Sequence, residues 1–321
     1  MYHFGNKNVH FSVVIWNYLK EIRIKPVDYL TFFYIFVNLA LIALFYERVN
    51  NWQTPVTGYL TCLAVQIFLV TFHPPRQHKN LHSFMKLLRD WYPYLFVSFY
   101  YPAIGYSCHA IFADNFDSYL VTLERLIFRS DPSLIFHRLL SNYYFYELMH
   151  FFYFFYYFFV LIVGLVLYLK KEEETFDKFI FVLSLMVALQ FYFFTVCPTA
   201  GPKFYFPELG QKHLPGLGPF STIMHSMLTR GEIPAGAFPS SHVSVAFLCC
   251  LFASQYLSRA GIIFFWFMFT GLLFSTVYLQ QHYAIDGMAG IILAFFAHRY
   301  GGKIHNFITD YKRMHSYQVR P

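Results

Sequence analysis

The run HFFYFFYYFFVLIVGLVLYL, residues 150–169, decides the fold. It contains no Asp, Glu, Lys or Arg. At 1.5 Å per residue a helix of this length spans about 30 Å, the hydrocarbon thickness of a bilayer. Its aromatic first half, 151–159, is expected to be lipid-facing or packed bulk rather than a ligand box. The rest of the chain agrees: 57% of the residues are hydrophobic, 23% aromatic and only 13% charged, about half the charge of a soluble globule. With 42 Phe and 27 Tyr in 321 residues, a water-soluble fold would have more apolar surface than interior to hide it in. Soluble enzymes, disordered chains and ordinary nucleic-acid readers are excluded on this ground.

Similar runs lie at 29–46, 56–72, 92–112, 178–196, 242–257, 261–281 and 286–300. With 150–169 they make eight expected spans of an all-α, polytopic membrane protein. The sixth and eighth are short, and each starts beside a polar group. With the N-terminus in the cytoplasm, the inner segments collect 17 of the 24 basic residues and the outer segments keep seven: Arg48, Arg125, Arg129, Arg138, Lys203, Lys212 and Arg230. That imbalance favours both termini inside, and it assigns the net charge of +7 to topology rather than to nucleic acid. The apolar stretch at 11–16 is too short for a cleavable signal peptide, so the first span is expected to remain as an anchor. The five cysteines have no metal-ligand spacing and read as small hydrophobes. No repeat is visible. Two outer segments are long: 113–149, where Asp131-Pro132-Ser133 should open an amphipathic helix over 134–148, and 197–241, a Pro/Gly-rich loop long enough to be functional.

Ionisable groups at membrane depth are costly and mark candidate sites. Three constellations fall on one side of the expected membrane: Cys197-Pro-Thr-Ala-Gly-Pro-Lys203, Gly236-Ala-Phe-Pro-Ser-Ser-His242, and His282-Tyr-Ala-Ile-Asp286. His282 and Asp286, four apart, share a face if a helix begins by His282. A carboxylate on one imidazole nitrogen would leave the other free as nucleophile or base. The plainer reading is an interfacial His and an Asp at a helix N-terminus. Pro239-Ser240-Ser241 resembles a helix start whose free N–H groups suit a phosphate, or simply a capped helix with His242 in its first turn. Lys203 could hold a phosphate oxygen or merely snorkel. Arg230 is a second possible cation. Together they could supply an anion cradle (Lys203, Arg230, Ser240, Ser241), a nucleophile and an acid for the leaving oxygen, with no metal or cofactor.

Pro239-Ser240-Ser241-His242, followed by Ser275 through His282 to Asp286, resembles the type 2 phosphatidic acid phosphatase superfamily. The resemblance implies a six-helix catalytic core at 92–300, a two-span addition at 1–75 and a cytoplasmic tail at 301–321. It further implies His282 as the nucleophile forming a phosphohistidine, Asp286 as its orienter, His242 as general acid and Ser240 in the phosphate cradle. The family's first motif carries a Lys and a later Arg-Pro; here only Lys203 is present, and the Arg expected after Ser275 is Thr276. His282-Tyr283 followed by Asp286 is similar to the inositol phosphorylceramide and sphingomyelin synthase branch, which moves a phospho-alcohol head group between lipids. A lipid phosphatase or phosphotransferase with phospholipid or sphingolipid substrate, working on the periplasmic, extracellular or lumenal face, is therefore expected. A transporter using His and Asp as a relay, or an inactive lipid binder, is the competing class; no paired broken helices support transport.

Overall fold

The computed structural model describes residues 24–72, 74, 77–140, 142–206, 218–231 and 233–318. Every regular element among them is helical: α1 Pro26–Leu44, α2 Gln53–Thr71, α3 Lys79–Ser107, α4 Asp117–Phe128, α5 Pro132–Leu139, α6 Tyr143–Leu169, α7 Glu173–Val196, α8 Pro202–Tyr205, α9 Pro219–Gly231, α10 Ser241–Tyr256, α11 Arg259–Tyr278, α12 Ala284–Phe296 and α13 Gly302–Gln318. A 3₁₀ turn, Tyr46–Arg48, and a π-helical turn, Ala297–Gly301, complete the set.

Five of these helices, α1, α2, α6, α7 and α11, are long and apolar enough to cross a membrane. The chain is thus an all-α protein with the helices of a multi-pass membrane protein. The remaining expected spans take other forms. The 92–112 run is the distal part of the longer α3, which carries Pro93 and Pro102 within it. The sixth is α10, only 16 residues long. Its Val243, Ala246, Leu248, Cys249 and Cys250 are all fully buried, because α10 packs against α6, α7, α11 and α12 together. A helix apolar all round belongs inside a bundle, and α10 is its axis. The eighth run starts as α12 and passes through the π turn into α13.

Two outer-segment expectations are corrected. The helix expected over 134–148 is broken: α5 ends at Leu139, and Asn142 caps a new helix by accepting from Phe145 N at 2.9 Å. Residues 143–148 therefore belong to α6, which continues through the opening run. The 197–241 segment is not a uniform loop, since α8 and α9 lie within it; residues 207–217 lie outside the described set.

Alternate gaps gather at opposite ends of the bundle. At one end Lys25 Nζ meets Asp90 and Asp177 at 2.6 and 2.7 Å, and Asp28 takes Arg89 and, at 2.6 Å, the Tyr92 hydroxyl. Lys170 Nζ reaches Tyr256 O and Lys312 Nζ reaches Ile24 O, both at 2.7 Å. The network joins α1, α3 and α7, and losing one partner of such a buried pair costs about 3–5 kcal/mol. The three polar constellations meet at the other end.

Candidate active site

Backbone pairing draws the three constellations together. Thr199 N donates to Ala235 O at 3.1 Å and Ala237 N to Thr199 O at 2.9 Å, joining the first to the second. Lys203 N donates to Gln280 O at 2.9 Å, and Ser240 N to Asp286 O at 3.0 Å, joining both to the third. Gly201 sits at φ +92°, a left-handed conformation that favours glycine. Gly290 on α12 lies so close to the second loop that a Cβ there would stand 2.7 Å from Ser240 O.

On this frame the two imidazoles touch: His282 Nε2 and His242 Nδ1 are 3.3 Å apart. The contacts around them fix the protons. His282 Nδ1 lies 2.9 Å from Ala237 O. A carbonyl only accepts, so Nδ1 carries the hydrogen and the neutral ring has its lone pair on Nε2. That lone pair faces His242 Nδ1, which in turn must donate. His242 Nε2 is then an acceptor, matched by the Tyr153 hydroxyl at 3.0 Å. The result is a directed chain from Tyr153 through His242 and His282 to Ala237 O. Tyr156, one helical turn on, lays its ring against His242 with centroids 4.3 Å apart. The run 151–159 is expected to be lipid-facing or packed bulk; two of its packed residues also contact a histidine. Phe152, Tyr153 and Phe159 are packed core, with Tyr156 packed against it, and Tyr153 and Tyr156 also touch His242.

Asp286 stands beside His282, as the spacing of four implies. The helix begins at Ala284, not by His282. Asp286 Oδ2 closes a capping box by accepting Tyr283 N at 2.8 Å, and stands 3.5 Å from His282 Nδ1. The orienting bond to His282 is thus made by Ala237 O, while Asp286 contributes charge from beside the ring. Asp286 Oδ1 is buried with no hydrogen-bond partner among the described residues.

The other expected residues divide. Ser240 is buried and spends its hydroxyl capping α10 on Val243 N at 3.3 Å, and its N–H on Asp286 O. The N–H groups of Ser241 and His242 remain the first-turn donors with no intrahelical acceptor. Lys203 is held beside the third loop through its backbone, its ammonium 5.6 Å from the Phe204 ring centre. Arg230 falls in α9, and its side chain lies outside the described residues. Thr276 is buried, with its hydroxyl on Leu273 O at 2.8 Å and its carbonyl accepting Gln281 N and His282 N. It shapes the turn before His282 and offers no cation. The five cysteines are all free, four of them buried.

Two carboxylates escaped the sequence reading. Asp117 and Glu124 on α4 are each about 1% exposed. Asp117 accepts Ala200 N, Gly201 N and the Tyr283 hydroxyl, each at 2.8 Å, clamping the first loop to the third. Glu124 accepts Ala284 N at 2.6 Å and so caps α12; burial pushes its carboxyl up to about 7. Burial also raises the Tyr283 hydroxyl, with Asp117 beside it adding to the effect.

A family model described as PAP2 superfamily matches residues 118–300, more than half of the chain and all of the candidate site residues just described except Asp117. The chain belongs to the PAP2 superfamily. No curated protein and no solved structure matches it. Family and apolar helices together fit a membrane enzyme of the phosphatase type.

Proposed function

We propose that the chain is an integral-membrane enzyme that cleaves a lipid phosphoester through a phosphohistidine on His282. The observation that carries this is the directed contact at 3.3 Å, in which a carbonyl-anchored imidazole presents an unprotonated Nε2 beside a second imidazole that faces it with an N–H. In the first step His242 is protonated on both ring nitrogens; the His282 Nε2 lone pair attacks phosphorus, the bond to the leaving oxygen breaks, and His242 gives that oxygen its Nδ1 proton and becomes neutral. In the second step a hydroxyl compound gives its proton to His242 and attacks phosphorus. The P–N bond breaks and His282 is restored. Asp286 steadies the positive charge that develops on the His282 ring, and Ser241 and His242 N–H groups with Lys203 cradle the phosphoryl oxygens.

Water as acceptor makes the enzyme a phosphatase; a lipid alcohol makes it a head-group transferase. The His282-Tyr283 pair and Thr276 in place of a cation favour keeping the second possibility in the assay. The basic-residue distribution supports a site on the non-cytoplasmic side with both termini inside. Neither step calls for a metal ion.

The test is purified protein in detergent with ³²P-labelled lipid, with and without a lipid alcohol, in chelator. The parent is expected to form an acid-labile, base-stable phosphoprotein and to release labelled phosphate or a new labelled phospholipid. His282→Ala is expected to do neither. Full activity in His282→Ala, or a requirement for added divalent metal, would overturn the reading.

A further inference from the structure

At the end of the bundle away from the histidines, a cavity of about 260 Å³ opens between α7, α10 and the α12–α13 junction. Lys178, Arg299 and Lys303 line it together with Gln255, His298 and Asn306, and no Asp or Glu contributes to the wall. The cations differ from their neighbours at the same end. Lys25, Lys86 and Arg89 are each paired with carboxylates, and Asp177, next to Lys178 in sequence, is taken by Lys25 at 2.7 Å. Lys178, Arg299 and Lys303 make no ion pair among the described residues.

The local backbone is shaped to make this opening. The π turn Ala297–Gly301 interrupts the α12–α13 helix at the cavity, and π turns widen a helix at functional positions. Gly302 follows it, and a Cβ there would fall 2.7 Å from Lys178 Cε. Glycine therefore lets the Lys178 stem pass across the junction into the same space as Arg299 and Lys303. His298 lies 3.2 Å from Gln255 across the cavity, and its face is closed by Phe252, with ring centres 5.2 Å apart. Three cations without an ion pair among the described residues (Lys303 also lies 5.6 Å from the Tyr300 ring centre), amide donors and an apolar back wall suit a phosphate-bearing group with an alkyl or ring substituent.

We infer that this cavity is a second anion site, which binds the phosphate of an anionic head group at the membrane surface opposite the catalytic histidines. A free phosphate compound shares that chemistry, and the experiment separates the two. The site makes no use of the proposed reaction, so binding rather than turnover is the readout.

Full-length protein is placed in nanodiscs of phosphatidylcholine alone or with one-fifth phosphatidylglycerol, and the thermal transition and retained lipid are measured by fluorescence and native mass spectrometry. A third sample has phosphatidylcholine with millimolar inorganic phosphate. Phosphatidylglycerol is expected to raise the transition and remain bound, and Lys178→Gln/Arg299→Gln/Lys303→Gln to lose both effects, with retention weakened about a hundredfold for three surface cations. A rise with inorganic phosphate that the triple variant loses would assign the site to a soluble ligand. Arg259→Gln is a control at the same end but outside the cavity. Should the triple variant not fold, Arg299→Gln and Lys303→Gln singly, both exposed positions, are expected to show partial loss. The inference is overturned if the variants respond like the parent in both arms, or if Arg259→Gln loses as much as they do, since a diffuse surface charge would then explain the effect.

Discussion

Replacing Tyr153 by Phe tests the proton chain without touching either histidine. The Tyr153 hydroxyl lies 3.0 Å from His242 Nε2. A hydroxyl can donate to a neutral imidazole and accept from a charged one, so it holds His242 in both states and keeps Nδ1 aimed at His282. Phe preserves the ring and removes this partner. A polar group left unsatisfied in a buried site costs about 1–3 kcal/mol, and at 1.36 kcal/mol per decade this is about a five- to hundredfold fall in kcat, with KM little changed. The pH profile distinguishes this from general damage. Protonated His242 loses a charge-assisted acceptor, whereas neutral His242 loses only a donor, so the charged form suffers more. On the proposed mechanism, in which protonated His242 is the acid, the fall of the rate toward alkaline pH should then set in at lower pH than in the parent. Rates would be measured from pH 5 to 9 on labelled lipid. Tyr156→Phe keeps the ring that lies 4.3 Å from His242 and is expected to leave the pH profile unchanged. A Tyr153→Phe enzyme with the parent's rate and profile, or a Tyr156→Phe enzyme with the same shift, would refute the chain.

Asp117→Asn retains one acceptor oxygen for three donors, Ala200 N, Gly201 N and Tyr283 Oη, and turns an N–H₂ toward the rest; a loss of about 2–3 kcal/mol is expected as a lower thermal midpoint in detergent. Glu124 holds its proton up to about 7 in the folded chain and only to about 4.3 in the unfolded one, so it should make stability fall as pH rises between those values and level off above; Glu124→Gln, which keeps an acceptor for Ala284 N, should flatten that slope in thermal melts from pH 5 to 8. Gly290→Ala would place a methyl 2.7 Å from Ser240 O, parting α12 from the loop that carries His242, and is expected to lower kcat at least tenfold while the helical circular dichroism is kept.

The parts of this molecule that are legible in its sequence are those written in side-chain identity and period. Long uncharged runs announce helices, and His242, His282 and Asp286 stand out because ionisable groups rarely occupy such surroundings. What could not be read was written in the backbone or in helical phase. The group that orients His282 is the carbonyl of Ala237, and every residue has a carbonyl. Tyr153 is one tyrosine in a run of aromatics, distinguished only by facing α10. Asp117 and Glu124 did leave a signal: with Leu120 and Val121 they occupy i, i+3, i+4 and i+7, so the buried face of α4 carries a carboxylate at each end. Acids at both ends of a stripe that should be apolar implied two sets of backbone donors waiting for them, and those are the first and third loops.

The contact between the rings also constrains how a substrate enters. In-line attack needs phosphorus about 3 Å from His282 Nε2 and the leaving oxygen about 3 Å from His242 Nδ1, which places the nitrogens well beyond the 3.3 Å observed. His282 is tied through Ala237 O to the loop that Thr199 secures, and His242 through Tyr153 to α6. His242 sits in the first turn of its helix, only partly buried, whereas His282 is 3% exposed. On the proposed mechanism, His242 is therefore the ring expected to give way. A bound phosphoester would replace the imidazole–imidazole hydrogen bond with two of its own, so on the proposed mechanism the ring expected to make room for the phosphoryl group is the one that then protonates the leaving oxygen.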